Sequence, residues 1–533
     1  MSTTGKRPMI GSVHGMVACA PPLAAQAGAG ILRTGGNAFD AIAAVAAALN
    51  VTEPFMSGLA GMGMATCYIA KEKRIRALDF VTKVPEKLPI ERFKDREDLA
   101  KGPLACGTPG NLAGWCEMVR TYGRKSLSEV FAPAIAIARD GFPLTAFGTY
   151  CFNSSIPEIK PYKDFYDGWA RNYIGGGEVS QGQVIKQPDL ARTYEAIAAE
   201  GPGYLYGGKL GQAIVRHLGS IGGTLTEGDL EGVRPQWQDP IAISYRGLKV
   251  HSVPPPAESF QYLLTLAILD GFDLKKMERN GIDHVDTVFR AIRLAAGVRI
   301  ERNRPSPEAL QEILSSAAIE KLRARVKDGK PVEGLTEQWL PTKPDPNKEH
   351  TTSFSVADAE GNVVCLTQSL GAKFGCGVVV PNTGVCLNNF LYWGEVHPEG
   401  KAYMKPGSDL ALCLAPSVST RDGKPVLALG TPGSYGISQT QTQVMVQHID
   451  YGSLMQDAVE EPRGRLWDGK KVQVESRMPA ATVEGLRKRG HEVDVIEPWT
   501  WVVGGMHGIS IDPETGVKIG GCDPRRDGYC VGP

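Results

Sequence analysis

The chain has 533 residues, 42% of them apolar and 22% charged, and its 58 Lys+Arg balance its 58 Asp+Glu. That composition excludes a mainly disordered protein, and zero net charge removes the electrostatic attraction on which non-specific nucleic-acid binding relies. No apolar run approaches the ~20 residues of a membrane helix, and no signal peptide is visible. The 11 cysteines are scattered without a C-x-x-C pair, as expected of reduced, buried thiols in a cytoplasmic enzyme without a metal site.

In chain order, Asp40 reads as the N-terminal cap of an alanine-rich helix over residues 41–49 that ends near Pro54. Gly58, Gly61 and Gly63 follow a turn and precede a strand, the reverse of the order a dinucleotide site needs, so they read as tight backbone packing. Residues 68–70 and 76–80 form a short hairpin. Helices follow over 127–140, stopped by Gly141, and over 188–200, closed by Gly201. Residues 245–253 alternate as one strand that runs into three prolines. Helices over 259–268 and 285–296 come next, then a polar helical stretch over 307–329. Residues 331–350 hold four prolines and few apolar positions, the least structured part of the chain. Beyond His350 the texture becomes β-rich, with short strands over 352–357, 363–370, 377–380 and 426–429 and a helix over 438–448.

The G-x-S-x-G, H-E-x-x-H and phosphate-loop signatures are missing, and the nine histidines are dispersed, which favours neither nucleotide nor metal binding. Thr351, at the start of a strand behind a proline-rich linker, offers a different chemistry. A hydroxyl nucleophile needs a base, and a chain cut before a threonine supplies one in its new α-amino group. The residues alone leave that reading beside a plainer one, β-branched strand material.

Several collinear blocks separate the two. Gly35-Gly-Asn-Ala-Phe-Asp-Ala-Ile42, Gly107-Thr-Pro-Gly-Asn-Leu-Ala-Gly114, Val253-Pro-Pro-Pro256, Thr351-Thr-Ser-Phe-Ser-Val-Ala-Asp358, Leu387-Asn-Asn389 and Gly430-Thr-Pro-Gly433 together resemble the γ-glutamyltransferase (γ-glutamyltranspeptidase) family of N-terminal-nucleophile hydrolases. The resemblance runs from Gly15 to Arg525. It implies a four-layer αββα sandwich and a proenzyme that cuts itself between His350 and Thr351. The pieces would be a large subunit, 1–350, and a small subunit, 351–533, that stay associated. Thr351 would be both processing and catalytic nucleophile, Ser369 would stand where the family has a threonine that orients it, and the backbone amides of Gly433 and Ser434 would form the oxyanion hole. No cofactor is implied.

The resemblance fails at the substrate clamp. The arginine that grips the glutamyl α-carboxylate falls on Val81, its two assisting serines on Leu412 and Cys413, and the acidic residue that holds the α-amino group on Trp393, beside Tyr392. A nearby glutamine position is Phe390, and the histidine of the family's Thr-Thr-His is Ser353. A zwitterion held in a partly dry pocket needs paired charges, and these side chains supply none. They suit an apolar or aromatic pocket, with Lys83, Arg74 and Arg76 as nearby substitutes for the arginine. The expected function is therefore hydrolysis of a small-molecule amide with a non-glutamyl acyl group. The alternatives are a γ-glutamyltransferase or glutathione hydrolase with a rearranged clamp, and an unprocessed, non-catalytic binding protein.

Overall fold

The computed structural model describes residues 7–335, 350–400 and 403–533. Residues 336–349, most of the proline-rich linker, lie outside the described part.

Two seven-stranded antiparallel sheets form the centre. In one the strand order is Tyr529–Val531, Gly15–Cys19, His350–Asp358, Val363–Gly371, Met62–Ile69, Arg74–Phe80 and Gln236–Gln238. In the other it is Ile10–Ser12, Lys518–Cys522, His507–Ile511, Lys424–Gly430, Ser417–Arg421, Leu248–Ser252 and Ile241–Tyr245. Side-chain alternation, period two in a strand, gives each sheet two faces to cover. In His350–Asp358, Phe354 and Val356 enter the large core shared with the helices, whereas Ala357 enters a small core with Met16, Cys365, Val418, Ala428 and Ile509. That small core lies between the sheets.

Helices close both outer faces. Pro22–Arg33 and Ala38–Thr52 cover the first sheet, and every residue of Ala38–Thr52 is buried, which is why its sequence is apolar all round rather than striped. Phe260–Leu269, Ile282–Glu301 and Ile437–Ile449 cover the second. The layers are helix, sheet, sheet, helix, the αββα sandwich expected. None of the described helices is long and apolar enough to cross a membrane.

Local signals set several boundaries well. Leu127–Asp140 and Pro188–Glu200 have the expected limits, because a Ser126/Glu129 capping box, Pro188 at the first turn, Gly141 and Gly201 act within a few residues. Elsewhere tertiary context prevailed. Asn37, not Asp40, caps the alanine-rich helix: its side chain accepts from Phe39 N and Asp40 N, and Asp40 accepts in return from Asn37 N. Asp40 also accepts from Arg124 N and Lys125 N, so it ties a second loop to the helix start. Of the run expected as one strand over 245–253, only Leu248–Ser252 is a strand; it is the second arm of a hairpin whose first arm, Ile241–Tyr245, lies before that run, turned at Arg246 and Gly247, both at positive φ. Residues 307–329 hold two helices, with Ser315 capping the second.

Candidate active site

Thr351 lies in the third strand of the first sheet, 7% exposed, directly after the buried His350. The register slips there: His350 pairs with Gly371 and Thr352 with Gln368, so two residues, Ser369 and Leu370, stand opposite Thr351. Such a bulge re-aims a side chain. Ser369 Oγ donates to the His350 carbonyl at 2.7 Å and accepts from Gly371 N at 2.9 Å. A Cβ on Gly61 would sit 2.0 Å from the Ser369 carbonyl, so this strand and the glycine-spaced segment are in backbone contact, as the spacing suggested. Ser353, on the same face of the strand as Thr351, packs against the second sheet; its Oγ lies 2.1 Å from where a Cβ on Gly430 would be, and bonds Thr367 Oγ1 at 2.9 Å.

Gly430 begins the turn to Gly433 and Ser434, which opens a 3-10 turn and then the helix Ile437–Ile449. Gly433 has φ 130° and Ser434 φ 53°. A serine in the left-handed region costs about 1–2 kcal/mol relative to a relaxed conformation. The Ser434 hydroxyl is buried with no hydrogen-bond partner among the described residues. The turn is braced: the Gly433 carbonyl accepts from Gly436 N at 2.8 Å and from Arg465 Nη1 at 3.0 Å.

The sequence blocks converge through side-chain amides. Asn388 Nδ2 donates to the carbonyls of Ala60 and Gly107, and its Oδ1 accepts from Gly107 N. Thr108 in turn holds the clamp segment, accepting from Lys83 N at 2.7 Å through its hydroxyl and from the Thr82 hydroxyl at 2.8 Å through its carbonyl. Lys83 pairs as a β-bridge with Asp409, which brings the Val81 segment beside the one carrying Leu412 and Cys413. Leu412 bridges to Ala257, and its carbonyl accepts from Glu258 N at 2.7 Å. Glu258 holds Arg299 at 2.9 Å, whose guanidinium lies 4.3 Å over the Tyr435 ring, and that ring contacts Trp393 at 5.9 Å. Trp393, the Gly433–Ser434 turn and Leu412 thus lie along one chain of contacts.

The aromatic residues divide. Phe390 and Tyr392 are buried in the large core, and the Tyr392 hydroxyl donates to Glu97 Oε1 at 2.9 Å with Arg96 stacked 4.6 Å over its ring. Trp393 is only partly buried and Cys413 half-buried. The cavity that Val81 lines, about 320 Å³, is charged rather than apolar: Asp79, Lys83, Asp229, Arg234 and Asp409 share its wall. An apolar wall is not what Val81 meets in this cavity, since the backbone pairing of Lys83 with Asp409 adds a second carboxylate beside Asp79. Burial first, and Asp409 next, push the Asp79 carboxyl up to about 6. Arg74 and Arg76 are committed elsewhere, to Asp239 and to the Tyr122 hydroxyl, so of the three expected substitutes Lys83 alone lines this cavity.

Three residues near the junction carried no sequence signal. The Trp501 ring packs on His350 with centroids 5.7 Å apart. Arg465 belongs to no motif. Glu53, fully buried, lies close enough to Thr352 for that side chain to lower the proton affinity of its carboxyl. Only its place before Pro54, at the end of the buried helix, could have drawn attention to it.

The model of the gamma-glutamyltranspeptidase family matches residues 24–532. The acylase ACY 1 proenzyme of Pseudomonas sp. (strain SE83) is 33% identical over 545 residues, covering 99% of this chain and 95% of the relative. The glutathione hydrolase proenzyme of Bacillus subtilis (strain 168) is 31% identical over 547 residues, covering 97% and 91%. Among solved structures, cephalosporin acylase from Bacillus halodurans superposes with a TM-score of 0.91 at 29% identity, covering 100% of this chain and 98% of that one.

Proposed function

The chain belongs to the gamma-glutamyltranspeptidase family and is an amidohydrolase of it, and from that premise we propose that it processes itself and hydrolyses amides through the hydroxyl of Thr351. In the first reaction Thr351 Oγ attacks the His350 carbonyl carbon. The C–N bond to Thr351 breaks, the nitrogen takes the proton the hydroxyl gives up, and an ester joins His350 to Thr351 Oγ. Water hydrolyses that ester, freeing the His350 carboxylate and the α-amino group of Thr351. The products are subunits 1–350 and 351–533, remaining as one αββα unit.

The observation that carries this reading is the 2.7 Å hydrogen bond from Ser369 to the His350 carbonyl. It withdraws electrons from the carbonyl that must be attacked, in a bulge that opens the ladder at that point. In the second reaction the α-amino group takes the hydroxyl proton as Thr351 Oγ attacks the substrate amide. The N–H groups of Gly433 and Ser434 donate hydrogen bonds to the oxyanion, each worth about 3–4 kcal/mol in such a site. The leaving amine departs with the proton, and water then releases the acid from the acyl-enzyme.

For the acyl group, Val81 and Trp393 in place of the family's arginine and acidic residue favour a non-glutamyl substrate, in line with the acylase names among the relatives. Lys83 in the Val81 cavity favours the second reading, a γ-glutamyl hydrolase with a rearranged clamp. Denatured intact mass tests the core of the proposal. Wild type should give two species, 1–350 and 351–533, and Thr351→Ala one. A single full-length wild-type species would instead support an unprocessed binding protein. Release of p-nitroaniline from γ-glutamyl-p-nitroanilide by the processed enzyme, lost in Lys83→Ala, would favour the second reading over the first.

A further inference from the structure

Arg465 lies outside both large sheets, in the strand Gly464–Leu466 of a small three-stranded sheet, and is 2% exposed. Its guanidinium stacks 4.4 Å over the Trp467 ring. One nitrogen, Nη1, donates to two backbone carbonyls from separate segments: Gly433 at 3.0 Å and Val502 at 3.3 Å. A Cβ on Gly436 would lie 2.4 Å from the same nitrogen, so the 3-10 turn is moulded to the guanidinium.

Both carbonyls matter for geometry. The Gly433 C=O and the Ser434 N–H belong to one planar trans peptide unit and point in opposite directions. A group that fixes the carbonyl therefore fixes the direction of the amide hydrogen. Gly436 N holds the same oxygen at 2.8 Å, so the peptide plane is pinned by two donors. Val502 follows Trp501, whose ring packs on His350. A single guanidinium thus couples the turn that offers Ser434 N–H to the segment that packs on the acyl side of the His350–Thr351 bond.

We propose that Arg465 is a positioning residue that aims the Ser434 N–H at the carbonyl oxygen undergoing attack, in self-cleavage and in amide hydrolysis. The inference rests on the Thr351 reading above. A lysine in its place would be a point charge without the planar fork and would not reproduce the bridging geometry, but it would still offer a charged donor.

The chain's own His350–Thr351 bond serves as the test substrate. Precursor is refolded from denaturant, and the conversion to two fragments is followed by intact mass in Arg465→Ala, Arg465→Met and Arg465→Lys, with thermal midpoints measured alongside. Loss of a fixed oxyanion donor slows such reactions by about 10²-fold. Arg465→Met should be as slow as Arg465→Ala, although it restores bulk, and Arg465→Lys should recover part of the rate. Rates within twofold of wild type in all three, or Met matching Lys as simple packing would require, would overturn the assignment. Should the Ala variant fail to fold, the Met and Lys variants decide by the same comparison. Failure of the wild type itself to split would count against the Thr351 reading instead.

Discussion

Glu53, at the end of the alanine-rich helix and fully buried, lies close enough to Thr352, the residue after the proposed nucleophile, for that side chain to lower the proton affinity of its carboxyl. Burial chiefly, and Asp527 next, push its carboxyl up to about 8, while the Thr352 side chain and Arg526 act the other way. The proposed cleavage junction is therefore backed by a carboxyl whose hold on its proton is strengthened by burial.

A stability consequence follows from the sign of that shift. The folded state holds the Glu53 proton more tightly than the unfolded chain, so stability is highest below about 4.5 and falls as pH rises toward about 8. Glu53→Gln removes the titration while keeping a polar group of the same shape. Unfolding free energies of wild type and Glu53→Gln from denaturant titrations should diverge between pH 5 and pH 8 in favour of the variant, by a few kcal/mol at most (~1.4 kcal/mol per pKa unit). Parallel curves across that window would refute the assignment.

Acid should act through different groups. Burial pushes the imidazoles of His251, His284 and His507 down to about 4, with Lys249 and Arg279 adding to the effect at the first two. Each is held neutral in the fold and must take a proton on unfolding. Stability contributed by these residues is present above about 6.5 and lost as pH falls through 4. The slope of unfolding free energy against pH near 5 should fall by close to one proton in His507→Asn, which urea titrations at a series of pH values would detect.

Ser369→Ala should slow the appearance of fragments by about 10- to 100-fold, since the lost hydrogen bond and the unpaired Gly371 N–H together are worth about 1–3 kcal/mol. Ser369→Thr keeps the hydroxyl and should cleave near the wild-type rate. An intact-mass time course on both variants distinguishes electrophilic activation from mere strand packing, under which alanine would be tolerated.

Gly61→Ala should be severely destabilising. Its Cβ would meet the Ser369 carbonyl at 2.0 Å and Asn111 Nδ2 at 2.7 Å, and the carbonyl is backbone that can move only by shifting the strand. A loss of about 1–3 kcal/mol or more is expected, with slower processing because the bulge shifts too. Gly219→Ala, in a helix with nothing near the added carbon, should be neutral or stabilise by up to about 1 kcal/mol. Differential scanning calorimetry of the pair checks both.

Much of the molecule was legible beforehand for a local reason. Caps, prolines and terminal glycines act over three or four residues, so the helices Leu127–Asp140 and Pro188–Glu200 could be bounded from sequence. The hairpin at Arg246 escaped because a non-glycine residue at φ 50° leaves no mark in a pattern of alternating apolar residues. Asn37 escaped because Asp40 is an equally good cap in isolation, and only its bonds to Arg124 and Lys125 assign it another task.

The sequence by itself determined the family and, through that resemblance, the αββα architecture, because those rest on collinear motifs, and it marked where the β-rich last third begins, because that rests on periodicity along the chain. Tertiary structure alone decided which groups meet. It carried Phe390 and Tyr392 into the core, surrounded Val81 with charges, and brought Arg465 to Gly433 and Glu53 to Thr352. Contacts of that kind depend on how sheets and loops pack in three dimensions, and burial, which moves a proton affinity from its ordinary value, exists only once they have packed.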